Sequence, residues 1–141
     1  MQSMDNIYLW TQNVINNWNE KNIQLEKSVS ESEIRKAEDI IGIKFPISFI
    51  ELYKRANGFK DSDCNENMIS IWPIQKIIEE YPIDNSNKDF VSFCDYFIFS
   101  HCIGFLKGTD GIFKDYGHKI LIASSFEECI DLINANSNLI Y

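Results

Sequence analysis

The sequence predicts an α+β fold, an antiparallel sheet with helices packed on one side, and three observations carry that expectation. Apolar residues recur at helical spacing from residue 4 to residue 57. From Phe90 onward the pattern changes to β-branched and aromatic runs separated by glycine and aspartate turns. A last segment returns to helical spacing behind a serine-to-glutamate capping box, Ser125 to Glu128. Helices and strands grouped in this way, instead of alternating, belong to α+β folds.

Residues 4 to 21 read as an amphipathic helix, with Ile7, Trp10, Val14 and Trp18 at three- and four-residue intervals. An aromatic stripe at that spacing packs into a core more often than it forms a binding platform, so Trp10 and Trp18 are expected inside. Asn22 to Val29 is a polar connection. Ser30 and Glu33 then form a capping box, in which the hydroxyl accepts from the backbone three residues on and the glutamate reaches back. Ile34, Ala37, Ile40 and Ile41 mark the buried face of the helix that follows, and Gly42 ends it where a left-handed backbone is needed. Pro46 suits the first turn of the next helix, with Phe45 extended before it. Phe49, Leu52, Tyr53 and Ala56 form a second buried stripe, closed by Asn57-Gly58, two residues that tolerate positive φ.

A polar, acidic loop from Phe59 to Asn67 leads to an apolar strand, Met68 to Trp72. Pro73 opens a short helix with Ile74, Ile77 and Ile78 inward and Glu79-Glu80 outward, ended by Tyr81-Pro82. Residues 83 to 89 form a loop. The runs from Val91 to Phe99, Cys102 to Leu106, Gly111 to Tyr116 and His118 to Ala123 read as strands of the antiparallel sheet. Gly108-Thr109-Asp110-Gly111 is the clearest hairpin turn, because Asp-Gly accepts positive φ, and Tyr116-Gly117-His118 is a second. In the helix from Ser125 to Ala135, Ile130, Leu132 and Ile133 close the core.

The run from Ile34 to Gly58, with Glu38, the Gly42-Ile43 stop, Pro46 and the closing Ala56-Asn57-Gly58, resembles the SUKH superfamily, in particular its Smi/Knr branch. Met68-Ile69-Ser70-Ile71-Trp72-Pro73 is similar to that family's next element. The segment from Ile122 to Ile130, with Ala123 and Ser125-Phe126, is similar to its closing strand and helix. Length and composition predict a single domain over 1–141, in which the N-terminal amphipathic helix (1–25) precedes the core (30–141) that carries the resemblance.

At 141 residues and 45% hydrophobic, the chain has material for one core. It lacks an apolar run of membrane-spanning length, and its start lacks the pattern of a signal peptide, so a cytoplasmic location and no membrane partner are expected. Cys64, Cys94, Cys102 and Cys129 contain no CxxC pair; the last three read as small core residues. The formal net charge of −8 argues against a nucleic-acid partner, which needs clustered Lys and Arg, and favours a basic protein. Acidity that serves solubility alone is the plainer alternative.

No arrangement of residues spells out catalysis, a cofactor or a metal. Asp61, Asp63 and Asn65 imitate the opening of a calcium loop, but its sixth and twelfth positions hold Glu66 and Trp72 instead of glycine and glutamate. A solvated loop or a charged contact explains them better. His101 and Cys102 are adjacent, so on a regular strand they point to opposite faces, and both histidines read as surface or edge residues. Gly104, Gly108 and Gly111 lack the flanking strand and helix of a phosphate loop. Asp110 and Asp115 are a weak carboxylate pair across the hairpin.

The resemblance implies a non-catalytic immunity protein that binds a cognate bacterial toxin, often a nuclease or nucleic-acid-modifying enzyme. An acidic surface suits a basic partner of that kind. The candidate contacts are Asp61, Asp63, Glu66, Glu79, Glu80, Asp84 and Asp89, on two loops and the short helix between them, with the chain acting as a monomer. Two alternatives stay open. One is a regulatory scaffold, the role of the family's eukaryotic branch in cell-wall signalling. The other is an enzyme site assembled from scattered residues such as Tyr96, His101 and Asp115.

Overall fold

The computed structural model describes residues 4–81 and 89–141. Helix α1 (Met4–Glu20) buries Ile7, Thr11, Val14 and Trp18. The Trp18 ring meets Phe59 edge-on at 5.0 Å and its indole N–H donates to Asn134 Oδ1 at 2.9 Å. Trp10 packs at the rim, edge-on to Phe126, and donates to Asp131 Oδ1 at 2.9 Å. Both tryptophans therefore serve packing, as their spacing predicts.

Helix α2 (Glu31–Ile41) opens on the complete Ser30–Glu33 capping box and stops at Gly42, whose φ is +81°. Its buried face differs from the expected one: Ile40 is 63% exposed, whereas Glu38 is only 2% exposed. The reason is a backbone group that needs a partner. Glu38 Oε2 accepts from the Phe45 N–H at 2.7 Å, and Oε1 accepts from Arg35 Nη1 at 2.9 Å, so the carboxylate closes the bend leading to the next helix. Helix α3 (Ile47–Tyr53) starts one residue later than the proline pattern implies, with Pro46 as its N-cap. Phe45, Phe49 and Tyr53 stack in series, with successive ring centroids 4.1 Å apart.

The sheet is a meander in which each strand pairs antiparallel with the next: β1 (Ile69–Ile71), β2 (Phe90–Tyr96), β3 (His101–Leu106), β4 (Thr109–Asp115) and β5 (Lys119–Ala123). Helix α4 (Ile74–Glu80) lies between β1 and β2 in the chain, and α5 (Phe126–Asn134) follows β5. The register sets Ile71 opposite Cys94, Cys94 opposite Ile103, and Phe105 opposite Ile112, which gathers these side chains on one face. That face meets α3 and α5 through aromatic rings: Phe126 lies 5.2 Å from both Phe49 and Phe93. Cys94 and Cys129 are fully buried, as expected, while Cys102 is half-buried on the other face. Among the described residues, no helix is long and apolar enough to cross a membrane.

Three strand-region expectations are corrected. The hairpin between β3 and β4 turns at Lys107-Gly108, where Gly108 supplies a φ of +75°, so Asp110 and Gly111 lie within β4 instead of forming the turn. The run predicted to reach Phe99 ends at Tyr96, and Phe97, Ile98 and Phe99 form the turn to β3 with φ of +52°, +52° and +65°. His101 is buried instead of lying at the surface, because a C-terminal 3-10 turn, Asn138–Ile140, folds over the end of β3. Its Nε2 lies 2.8 Å from the Ile140 carbonyl, and Lys114 Nζ secures the same segment by donating to the Leu139 and Tyr141 carbonyls at 3.0 and 2.6 Å.

Burial pushes the His101 pKa below its ordinary value of 6.5, outweighing the Ile140 hydrogen bond that raises it. The unfolded chain takes up a proton that the folded chain resists, so the contribution to stability is present above about pH 6.5 and is lost as pH falls from there through the lower folded-state value. Thermal melts from about pH 7.5 down to 5.5 should show a falling Tm for this chain and a flatter profile for His101→Gln. Parallel profiles would contradict the assignment.

Candidate partner-binding surface

The surface is built where two chain segments cross. After α3, the Tyr53 hydroxyl donates to the Trp72 carbonyl at 2.6 Å. Asn57 Oδ1 accepts from the Ile74 N–H at 2.7 Å, capping α4 from a distant part of the chain, and Nδ2 donates to Gln75 Oε1 at 2.9 Å. Gly58, not Asn57, takes the positive φ, at +69°, and a Cβ there would stand 2.5 Å from the Trp72 carbonyl carbon. That approach lets the Phe59 N–H bond the Ile71 carbonyl at 2.7 Å.

The crossing forms one wall of a groove of about 520 Å³. Four acidic residues line it, Glu26, Glu33, Asp61 and Glu79, together with Lys27 and Lys76, and the Glu33 carboxylate also accepts from Ser30 in the capping box. Of the seven acids expected from sequence, the structure brings Asp61 and Glu79 into this groove, and among the described residues neither takes part in an ion pair. Asp63 is turned inward, accepting from the N–H groups of Gln24 at 2.7 Å and Cys64 at 2.9 Å. Glu66 is exposed beside the groove loop and pairs with Lys21 at 3.5 Å. Glu80 is half-buried at the end of α4, and its charge helps burial push the Cys102 thiol up to about 11. Asp89 lies at the opposite end of β2 from the turn to β3, where its carbonyl accepts from the Lys107 N–H at 2.8 Å. Asp84 lies outside the described residues.

Sequence reasoning missed Glu26 and Glu33, one read as part of a polar connection and the other as a cap. Their convergence depends on how residues 26–33 lie against α4, which no local pattern encodes. It also missed the β2–β3 turn, because Phe97-Ile98-Phe99 contains none of the residues that favour left-handed backbone. Each such residue costs roughly 1–2 kcal/mol. The three side chains are 56%, 79% and 46% exposed. A recess of about 100 Å³ next to the groove, sharing Ser62, Ser70 and Lys76 with it, is walled by Ile98, Phe99, Met68 and Asp95. Asp95 is 4% exposed; its Oδ2 accepts from Trp72 Nε1 at 2.6 Å and its Oδ1 from the Phe99 N–H at 3.4 Å. Lys76 Nζ sits 5.1 Å from the Trp72 ring and 4.9 Å from the Phe99 ring.

The other candidate arrangements do not assemble. The Asp63 oxygens meet backbone N–H groups, and Asn65 Oδ1 accepts from Asn67 at 2.9 Å and Ile69 at 3.0 Å, so the calcium-like spacing shapes its own loop. Tyr96 and His101 are neighbours across β2 and β3, with rings 5.2 Å apart, whereas Asp115 lies on the opposite face opposite Cys102 and pairs with Lys119 at 3.3 Å. Asp110 and Asp115 lie five positions apart along β4, roughly 17 Å, too far to act as a pair.

A family model described as SMI1 / KNR4 family (SUKH-1) matches residues 28–132, a span that includes the crossing, the recess and most of the groove. No curated protein matches the chain. Since the crossing leaves no space for a side chain, Gly58→Ala should lower stability by more than about 3 kcal/mol in urea denaturation. Gly108→Ala, with similar φ (+75°) but open space around it, should cost only about 1 kcal/mol. Equal losses would show that backbone conformation alone, and not the crossing, demands glycine at 58.

Proposed function

This chain belongs to the SMI1/KNR4 family (SUKH-1), and from that premise we propose that it is an immunity protein. It binds a cognate bacterial toxin and neutralises it by protein–protein contact, without chemistry of its own. The observation that carries this reading is the groove, lined by four acidic residues and two lysines, on a chain of formal net charge −8. A basic nuclease or nucleic-acid-modifying toxin presents cations where the phosphates of its substrate bind. An acidic groove held against them occupies the same positions and excludes the substrate. Long-range attraction raises the rate of encounter by about ten- to a thousandfold, which suits a protein that must reach its toxin before the toxin reaches its target.

In this reading Asp61 and Glu79 form the centre of the contact with Glu26 and Glu33, and Glu66 stands at its rim. Asp63 supports the loop that presents them. One copy of the chain meets one toxin in the cytoplasm of the producing cell, over about 800 Å² on each side.

The test is affinity capture from extract of the native host at low and high salt, followed by expression of the recovered polypeptide without this chain. The expected result is a basic polypeptide that is lethal alone and is released as salt rises. Asp61→Lys combined with Glu79→Lys should weaken its binding at least about tenfold at low salt and less at high salt. Capture of no polypeptide at either salt would overturn the immunity reading. Unchanged affinity in the double variant would remove the groove from it.

A further inference from the structure

We propose that the β2–β3 turn, Phe97-Ile98-Phe99, is a pre-shaped apolar anchor that docks the apolar stripe of a basic amphipathic polypeptide, whose cationic side chains enter the adjoining acidic groove. The proposal deepens the immunity reading, since the partner is the same basic protein, and it names the part of the surface that supplies apolar contact.

The first argument is backbone conformation. Three consecutive residues other than glycine hold positive φ, and one of them is β-branched, for which this region is a genuine outlier. Glycine or asparagine would make the same turn with less strain, and Ile98, 79% exposed, contributes little to the interior. Ile98 thus stands where local conformation disfavours it and burial does not require it, flanked by Phe97 and Phe99, which lie half-exposed against Tyr96 and Trp72. Strain of this sort collects at functional sites.

The second argument is rigidity. The Phe97 N–H donates to the Met68 carbonyl at 2.9 Å, the Ser100 N–H to Tyr96 at 2.9 Å, and the Phe99 N–H to Asp95, while Lys76 lies over the Phe99 ring. A turn held from several sides loses little freedom on binding, which is the usual source of affinity in a small contact. The third is continuity and charge. Ile98 and Phe99 wall the recess that shares Ser62, Ser70 and Lys76 with the groove, so apolar anchor and carboxylates form one surface. An aromatic and aliphatic centre beside a polar rim is the usual arrangement of a binding hot spot. The excess of acid beside it selects a cationic partner over a second copy of this chain.

Two designed peptides test the proposal on the intact chain by fluorescence anisotropy: an amphipathic Leu/Lys helix and its Leu/Glu counterpart. The chain should bind the Leu/Lys peptide at least about tenfold more tightly than the Leu/Glu peptide. Phe97→Gly combined with Ile98→Gly should raise Tm by a few degrees by relieving the turn, and yet weaken the Leu/Lys peptide at least about tenfold. Equal binding of the two peptides, unchanged binding by the variant, or a dimer of the parent chain in sedimentation that the variant abolishes would each overturn it. If the variant loses the peptide but still protects fully against the captured toxin, the anchor is not part of the toxin contact and the immunity reading stands. If the parent chain captures no toxin, the immunity reading fails, and the peptides still decide whether the turn is an anchor.

Discussion

The close approach of Gly58 to the backbone at Trp72 and Pro73 is the constraint on which most of this structure depends. With the two chains in contact, three hydrogen bonds become possible within a few residues: Phe59 to Ile71, Tyr53 to Trp72, and Ile74 to Asn57. They fasten α3 to the edge of the sheet and start α4 in a set direction. The groove follows, because Asp61 lies just beyond the crossing on one segment and Glu79 lies on the helix that the other begins. Missing side-chain volume at one position thereby places two carboxylates eighteen residues apart along the chain on one surface.

Buried carboxylates do related work at two bends. Glu38 accepts from the Phe45 N–H where α2 gives way to α3, and Asp95 accepts from the Phe99 N–H where β2 turns toward β3. Each also holds a second donor, Arg35 or the Trp72 indole. Burying a carboxylate is costly unless hydrogen bonds offset it, so such a group specifies the shape of the bend around it more than it adds to stability. At Asp95 the specified shape is a turn that local conformational preference would not select.

The legible parts of the fold were those written in neighbouring residues. The Ser30–Glu33 box, the Gly42 stop, the α1 stripe and the change to strand pattern at Phe90 each need only a few adjacent positions, and each appears as read. Where a partner from far along the chain decides the outcome, sequence patterns misdirect. Ile40 fits the apolar period of α2 but yields its place to Glu38, because the bend at Phe45 requires an acceptor. His101 is covered by a segment some forty residues later, and the turn at Phe97 looks like continued strand because its residues favour strands. The groove was half legible: Asp61 and Glu79 stand out as exposed acids, while Glu26 and Glu33 join them only through tertiary folding.

The chain also closes on itself over very different spans. Strands β2 to β5 pair in succession through short closures, whereas β1 reaches β2 across the whole of α4, with Ile69 opposite Tyr96. The docking of α1 spans still more of the chain: its tryptophans bond Asp131 and Asn134, partners 121 and 116 positions away. Helix α1 also rests on the middle of the chain, where Trp18 meets Phe59 edge-on and Gln12 accepts from Arg55. The first helix thus bridges the middle and the end of the chain, and its two tryptophan bonds tie the N-terminal and C-terminal elements into one closed circuit.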